Sequence, residues 1–383
     1  MLRVPVILIM LMLGHAGAQA FSWDGAKSER TLKLVREFQA RHHVPSLAFS
    51  VTLDGEIIVS VDLGADGSVV PSDRLRVRYR IGSVSKQITA AAILALIEDN
   101  APLPTIGAPL RLTTVLSDIY PDATPPGSDL GRITVKQLLT MTSNLPSYTD
   151  DDDLLSPDRT GVAPADRAGA LLDIIARLKT YHPRGNEPEF HYSNTNYFIL
   201  SLIVHTLNGG GRDAALLPVQ TYMHARLLAR AGTTQTGLLN EPAPPGTRDA
   251  PPTFLRPAKF NQGDWARGAG DLVSTGGDVA RWNTALMAGT VLKRDSVELM
   301  LRPAALVRKS KLYRGCSYAM GWYVCEKPGY RLHQHDGVIP GFMASNAIAR
   351  DPRGSTVSAT ILANRDATSD IVQLVRSIID IAR

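Results

Sequence analysis

Apolar and polar residues alternate with a strand-like period near both ends of the chain and with a helical period between them. Leu47–Leu53 and Glu56–Leu63 alternate on either side of Asp54-Gly55, which predicts a β-hairpin. We therefore expect an α+β fold: an antiparallel β-sheet, built from both chain ends and flanked by helices, with a mainly helical domain inserted. The other predicted strands are Tyr318–Val324, Tyr330–His335, Phe342–Ala349 and Thr356–Ala363. The predicted helices are Ser28–Arg41, Val84–Glu98, Thr134–Met141, Tyr197–Leu207 and Ser369–Ala382.

Residues 1–20 have the features of a secretory signal peptide. Arg3 supplies the positive charge, Val4–Leu13 the apolar core and Ala18-Gln19-Ala20 the small-residue cleavage site. The core is too short for a permanent membrane span, and an uncleaved anchor is the alternative. We expect an exported protein, periplasmic or secreted. Its remaining residues are predicted to form a discontinuous sheet domain (21–80 and 261–383) and a helical domain (81–260), with the functional site at their interface.

Charge and cysteine content exclude several classes of protein. The formal net charge is +5, but the basic residues are scattered, so no nucleic-acid partner is expected. Cys316 and Cys325 could form one disulfide in an exported protein, or remain as buried thiols. His333 and His335 alternate along a predicted strand, but no third ligand stands at a metal-site spacing. We therefore expect no metal and no cofactor, and the oligomeric state is not indicated.

Ser83-Val84-Ser85-Lys86 places a hydroxyl and an amine three residues apart at the start of an unusually apolar helix. Residues i and i+3 share a helix face. A lysine in an apolar environment loses solvation, so its neutral form is favoured and it can accept a proton from a serine. The alternative is a helix N-terminus that Ser83 caps while Lys86 extends outward.

Two later clusters carry polar groups that complement this pair. Tyr192 stands in His191-Tyr192-Ser193-Asn194, and a phenol near an ammonium can be held as a phenolate that accepts the serine proton. Asn194 offers an amide that can hold a substrate carbonyl or orient Lys86. In His335-Asp336-Gly337, the glycine would let a substrate lie against a strand edge, where backbone N–H groups can stabilise an oxyanion.

Taken together, these motifs resemble the serine β-lactamase and penicillin-binding superfamily, in particular its class C-like branch. That branch also contains DD-carboxypeptidases, D-aminopeptidases and carboxylesterases. Its pattern is S-x-x-K, then Y-x-N, then K-T-G or H-x-G, in this order. The resemblance extends over residues 30 to 365 and includes three supporting blocks: Ile81–Gln87, Ile133–Ser143 and Gly268–Thr275.

The resemblance implies a role for each motif residue. Ser83 would be the acylated nucleophile, and Lys86 with Tyr192 would handle its proton. Asn194, His335 and Gly337 would complete the polar site, and the backbone N–H groups of Ser83 and Val338 would form the oxyanion hole. The implied fold is an antiparallel sheet flanked by helices and joined to a helical domain, with the site between them.

One departure from the family pattern bears on the substrate. His335-Asp336-Gly337 stands where β-lactamases of this branch have K-T-G, so a mostly neutral histidine replaces a permanent cation. Asp336 would repel a substrate carboxylate unless its side chain points away from the site. We therefore expect neutral esters or D-amino-acid amides to be favoured over β-lactams. A second departure, Asn144 in place of a glycine, is tolerable because asparagine can adopt a left-handed turn.

Other functions stay open at this stage. A class C-like β-lactamase or a DD-carboxypeptidase is the alternative enzyme, and a penicillin-binding sensor or cell-wall-binding protein is the alternative without turnover. An esterase of the G-x-S-x-G type is disfavoured. Its nearest match, Gly315–Ala319, ends in alanine and lacks a strand-to-helix context.

Overall fold

The computed structural model describes residues 24–124, 126–150, 189–211, 217–239, 241–254, 266–365 and 370–383. The predicted signal peptide, residues 1–20, lies outside these ranges. In the part of the chain that is described, no helix is both long and apolar enough to cross a membrane.

Helices and strands alternate in three stretches along the chain. The first comprises α1 (Gly25–Arg41), β1 (Ser46–Leu53), β2 (Glu56–Gly64), β3 (Val69–Pro71), α2 (Ser72–Leu75), β4 (Val77–Arg80), a 3-10 turn (Gly82–Val84) and α3 (Ser85–Glu98). The second comprises α4 (Leu116–Ile119), α5 (Val135–Leu139), a second 3-10 turn (Tyr148–Asp150), α6 (Asn194–Leu207), α7 (Leu217–Met223), a π turn (His224–Leu228) and α8 (Ala229–Ala231). The third comprises β5 (Gly237–Leu238), β6 (Arg248–Asp249), β7 (Leu272–Ser274), α9 (Gly276–Ala288), α10 (Arg294–Leu301), β8 (Ala305–Leu306), β9 (Ser317–Tyr318), β10 (Tyr323–Lys327), β11 (Tyr330–Ile339), β12 (Phe342–Arg350), β13 (Thr356–Ala363) and α11 (Asp370–Ala382).

The main sheet has nine antiparallel strands in the order β3-β2-β1-β13-β12-β11-β10-β9-β8. Its two halves come from opposite ends of the chain and meet where β1 pairs with β13, with Leu47 opposite Ala363. Asp54 and Gly55 both have positive φ and form the β1–β2 turn, as the Asp-Gly pair predicts. The α+β prediction of a sheet built from both termini is confirmed.

Helices pack against the sheet through buried apolar residues. α1 and α11 pack together, and α11 also covers β12 and β13 through buried residues such as Val375 and Ile378. α9 packs against β1, β2 and β13, while α3 packs against α6. A second sheet, β5-β7-β4-β6, was not predicted, because strands of two to four residues are too short to show a period. The division into domains at residues 81 and 260 stays a prediction.

The strand predicted over Tyr318–Val324 is wrong. The chain turns between β9 and β10, where Gly321 has a φ of +84° and the N–H of Ala319 donates to the carbonyl of Trp322 at 2.8 Å. An apolar run does not reveal such a turn, because buried glycine and tryptophan residues fit a strand pattern equally well. A disulfide joins Cys316 to Cys325 across this hairpin.

Candidate active site

Ser83 lies in the 3-10 turn that leads into α3. Gly82 has a φ of +51°, a conformation suited to glycine, and it begins this turn. Residues Ser85 to Leu96 of α3 are all buried, and its alanines allow close approach of the neighbouring helix. Lys86 is therefore fully buried among apolar groups, as the sequence pattern predicts.

Two groups contact the hydroxyl of Ser83. Lys86 Nζ and Tyr192 OH each lie 2.9 Å from Ser83 Oγ. The alternative helix-cap role is not what the geometry shows, because α3 has Val84 at its N-cap position and no side-chain cap. The S-x-x-K pair and the tyrosine of the second motif thus come together, although 109 residues separate Ser83 from Tyr192.

Lys86 is held by two further oxygen atoms. Its Nζ lies 2.8 Å from Asn194 Oδ1 and 2.6 Å from the carbonyl oxygen of Ala269. Burial lowers the pKa of Lys86 well below its usual value, and the negative charges of Asp336 and Asp271 oppose this only in part. Compared with a solvated lysine, the buried side chain of Lys86 therefore favours its neutral amine form.

A neutral amine has two N–H groups and one lone pair. Carbonyl oxygens can only accept hydrogen bonds, so Asn194 Oδ1 and the Ala269 carbonyl take both N–H groups of Lys86. The third contact of Lys86 Nζ is with Ser83 Oγ at 2.9 Å. When the amine is neutral and both of its N–H groups are used in this way, its lone pair faces this oxygen and can accept the Ser83 proton. The arrangement therefore orients Lys86 as a base toward Ser83.

Tyr192 is a neutral phenol in this environment. Burial raises the pKa of Tyr192 well above its usual value, the hydrogen bond with Ser83 lowers it, and the charge of Asp336 raises it further. The phenolate expected from the sequence is not supported, because burial disfavours the charged form of this phenol. The O–H of Tyr192 donates instead to Ser83 Oγ.

Asn194 orients the lysine. Its Oδ1 accepts from Lys86, and its Nδ2 donates to Thr149 Oγ1 at 3.1 Å, so both ends of the amide are engaged. Ala269, which sequence reasoning missed as a functional residue, acts through its backbone carbonyl. The only sequence signal for it is the block Gly268–Thr275, because a carbonyl carries no side-chain signature.

His335 is buried on β11 and neutral at pH 7. Burial lowers the pKa of His335 to about 4. The negative charge of Asp336 opposes this shift, and the nearby Lys86 adds to it. His335 Nδ1 lies 2.6 Å from the carbonyl oxygen of Asp336, which can only accept, so the proton is on Nδ1. Nε2 is then the acceptor for the hydroxyl of Tyr318 at 3.3 Å. His335 contributes a neutral polar group rather than a cation.

The edge of β11 crosses the turn that carries Ser83. In the described residues, β10 pairs with β11 only from Tyr330 to Gln334, so the later part of β11 faces this turn. A Cβ on Gly337 would lie 2.8 Å from Ser83 N, and a Cβ on Gly82 would lie 3.0 Å from Val338 N. Glycine at both positions lets the backbones approach. The two N–H groups predicted for the oxyanion hole therefore lie at one crossing.

Aromatic side chains that sequence reasoning missed form one side of the site. This aromatic wall consists of Phe190, Tyr313, Tyr318 and Tyr323. The ring of Tyr318 lies 6.5 Å from that of Tyr192, and Tyr313 stacks on Tyr323 at 3.7 Å between centroids. The Cys316–Cys325 disulfide joins the segments that carry three of these rings. Each tyrosine by itself looks like an ordinary core residue, so no local sequence pattern indicates this wall.

The competing serine has no comparable setting. Ser317 lies on the two-residue strand β9, and the chain then turns into β10 rather than into a helix. The strand-to-helix turn required by the G-x-S-x-G motif is therefore missing. Among the residues that the structure describes, no three His, Cys, Asp or Glu side chains are grouped as metal ligands.

Comparisons with known proteins agree with this geometry. Residues 32–382 match the sequence profile of the Beta-lactamase family. A Bacillus subtilis (strain 168) protein named "Putative penicillin-binding protein PbpX" is 24% identical over 347 residues, which covers 86% of this chain and 75% of that protein. The "Unguisins hydrolase ungD'" of Aspergillus campestris is 23% identical over 370 residues, and the match covers 91% of this chain and 65% of that protein.

Solved structures share the fold. D-amino acid amidase from Ochrobactrum anthropi SV3, in complex with L-phenylalanine amide, superposes with a TM-score of 0.69 at 20% identity, covering 94% of this chain and 97% of that one. A penicillin-binding protein from Bacillus halodurans gives a TM-score of 0.64 at 21% identity, and the match covers 90% of this chain and 99% of that one. The fold is therefore β-lactamase/transpeptidase-like. Because the family profile spans nearly the whole chain, this protein belongs to the beta-lactamase family of serine hydrolases.

Proposed function

We propose that the protein is an exported serine hydrolase that cleaves an amide or ester bond through an acyl-enzyme on Ser83. The observation that carries this proposal is the position of Ser83 Oγ, 2.9 Å from both Lys86 Nζ and Tyr192 OH. Because Asn194 Oδ1 and the Ala269 carbonyl take two N–H groups of Lys86, the neutral amine that burial favours would aim its lone pair at this oxygen, as an activated nucleophile needs.

Acylation follows from the proton positions. Ser83 Oγ attacks the substrate carbonyl while its proton passes to Lys86, and the carbonyls of Asn194 and Ala269 stabilise the resulting ammonium. The N–H groups of Ser83 and Val338 bind the oxyanion. Tyr192 then donates its phenolic proton to the leaving amine or alkoxide and is reprotonated from Lys86. A water molecule then attacks the acyl-enzyme in the same way. Its proton passes to Lys86, Tyr192 returns a proton to Ser83 Oγ, and the acid is released.

The charges in the site support neutral substrates over β-lactams. His335 is neutral, and Asp336 is a carboxylate that would repel a substrate carboxylate. Arg281, a cation that could offset this, is bound to Asp278 at 2.8 Å on α9. The names of the amidase and the hydrolase among the similar proteins agree with amide cleavage.

Two features support export. Residues 1–20 have the composition of a signal peptide, and the Cys316–Cys325 disulfide is typical of oxidising compartments. Detecting the mature chain in a periplasmic or culture-medium fraction, with Phe21 at its N-terminus, would test this part of the proposal. Recovery of the full-length chain from the cytoplasm would contradict it.

Active-site labelling tests the nucleophile. A fluorophosphonate probe should label the purified protein and the Ser317→Ala variant, and labelling should be lost in Ser83→Ala. Labelling of Ser83→Ala at the wild-type rate, or an adduct on Ser317, would disprove the assignment.

A substrate panel separates the remaining functions. It contains a p-nitrophenyl ester, a D-amino-acid amide, a D-Ala-D-Ala peptide and a chromogenic cephalosporin, each measured beside Ser83→Ala. We expect turnover of the ester and the amide. A cephalosporin preferred by tenfold or more would indicate a β-lactamase. Stoichiometric acylation without turnover of any compound would indicate a penicillin-binding sensor.

A further inference from the structure

Asp336 is a carboxylate beside the nucleophile that the acylation steps leave without a role. It lies on β11 between His335 and Gly337 and is half-buried. Its Oδ1 accepts a hydrogen bond from the hydroxyl of Tyr313 at 2.7 Å. In the ranges that the structure describes, no Lys or Arg side chain forms an ion pair with it.

The hydroxyl that holds Asp336 is itself fixed. Tyr313 stacks on Tyr323, with ring planes 2° apart. The guanidinium of Arg376 lies 5.4 Å from the Tyr313 ring, but its N–H groups donate to Gln334 Oε1 and to the carbonyl of Leu312. Arg376 therefore supports the tyrosine without forming an ion pair with Asp336. The Asp336 carboxylate is therefore held in position by a hydroxyl that is itself fixed.

Asp336 lies two residues before Val338 on β11. Side chains two apart on a strand share a face, so Asp336 lies on the same face as Val338. The Val338 side chain is 66% exposed, although its backbone N–H lies at the crossing with Ser83. The backbone N–H of Val338 at this crossing is thus two residues along β11 from Asp336, on the same strand face.

The charges around the nucleophile are unbalanced. Burial favours the neutral forms of Lys86, Tyr192 and His335, and the negative charge of Asp336 acts on each of these groups. A carboxylate among groups that favour their neutral forms attracts a positive group and repels a negative one.

We propose that Asp336, held by Tyr313, is a subsite for a positively charged amino group of the substrate. The substrate class is then esters and amides of amino acids with a free α-amino group. In such compounds the ammonium is attached to the carbon next to the scissile carbonyl, so it enters the site together with that carbonyl. This inference rests on the proposed acyl-enzyme at Ser83.

Three matched substrates test the subsite: alanine p-nitroanilide with a free amine, its N-acetyl form and its N-succinyl form, each as D and L isomers. The quantity compared is the ratio of kcat/KM for the free amine to that for the N-acetyl compound. We expect Asp336→Asn to lower this ratio about tenfold, which is about 1.4 kcal/mol, and to raise the relative rate of the N-succinyl compound. Tyr313→Phe should change the ratio in the same direction by a smaller factor.

Two controls make the result specific. Asp295→Asn removes an exposed carboxylate on α10 and should leave the ratio unchanged. In the wild type, preference for the free amine should fade as the pH rises through the pKa of the substrate α-amine, ~8. A ratio in Asp336→Asn within twofold of the wild type would overturn the subsite.

A second measurement does not need turnover. Alaninamide should protect Ser83 from the fluorophosphonate probe better than N-acetylalaninamide does, and Asp336→Asn should remove this difference. Equal protection by the two amides in the wild type would overturn the subsite. Failure of the probe to label Ser83 would instead overturn the proposed nucleophile.

Discussion

Replacing Asn194 tests whether Lys86 is the base and whether its two oxygen partners orient it. Asn194→Ala removes one of the two acceptors of the Lys86 N–H groups. A hydrogen bond to a charged group contributes about 1.5–3 kcal/mol, and one between neutral groups about 0.5–1.5 kcal/mol. The transition state, in which the proton passes to Lys86, therefore loses about 1 kcal/mol or more relative to the resting site. Acylation should slow roughly tenfold.

Asn194→Asp changes the charge instead. A carboxylate beside Lys86 stabilises the ammonium and raises the pKa of Lys86, whereas Asn194→Ala leaves the ammonium less stabilised and lowers it further. The acidic limb of the pH profile for kcat/KM reports the base of the free enzyme. This limb should move to higher pH in Asn194→Asp and to lower pH in Asn194→Ala. At pH 7, Asn194→Asp should be the slower variant, by at least ~10² relative to the wild type.

The assay is stopped-flow acylation by a p-nitrophenyl ester between pH 5 and pH 10. Thr149→Val is the matched control, because it removes the partner of Asn194 Nδ2 and leaves the contact with Lys86 intact. The acidic limb of the Thr149→Val pH profile should stay near its wild-type position. If both Asn194 variants move the limb in the same direction, or if neither moves it, Lys86 is not the titrating base and the reasoning fails.

Three further outcomes are expected. Lys86→Met should raise the melting temperature at pH 7 by removing a buried amine, a gain of about 1 kcal/mol. The pKa of Lys86 is lower in the folded chain, so the unfolded wild-type chain binds more protons at neutral pH. The gain in stability of Lys86→Met should therefore shrink as the pH approaches ~10. Equal gains at pH 7 and pH 10 would contradict this. Gly337→Ala would put a Cβ against the carbonyl of Ile81. The rate of probe labelling should fall by at least ~10², while circular dichroism shows a folded chain. Labelling at the wild-type rate would refute the close crossing of β11 and the Ser83 turn. Replacing Cys316 and Cys325 together by serine should cost about 2–3 kcal/mol in urea unfolding, as expected for a short closed loop, and an unchanged midpoint would argue against the bridge.

Local patterns in the sequence were sufficient for much of the fold and for the choice of site residues. The Asp54-Gly55 hairpin, the period of the terminal strands and the apolar helix with Lys86 as its only basic residue are visible within short windows, since strand and helix periods are local properties. The same windows place Ser83 three residues before Lys86, and the order of the three motifs links them to Tyr192 and His335. Short strands and the turn at Gly321 escaped detection, because two residues show no period.

Tertiary structure alone decided how the groups of the site are oriented. Lys86 Nζ contacts Asn194 and Ala269, which lie 108 and 183 residues away in the chain, and these two partners leave its third contact to Ser83. Tyr192 stays a phenol because desolvation disfavours its charged form. Desolvation and partners remote in sequence set a pKa, and a backbone carbonyl such as that of Ala269 has no side-chain signature. The sequence could therefore name the reacting residues and suggest that Lys86 accepts the serine proton, but not the groups that orient Lys86 or the form of Tyr192.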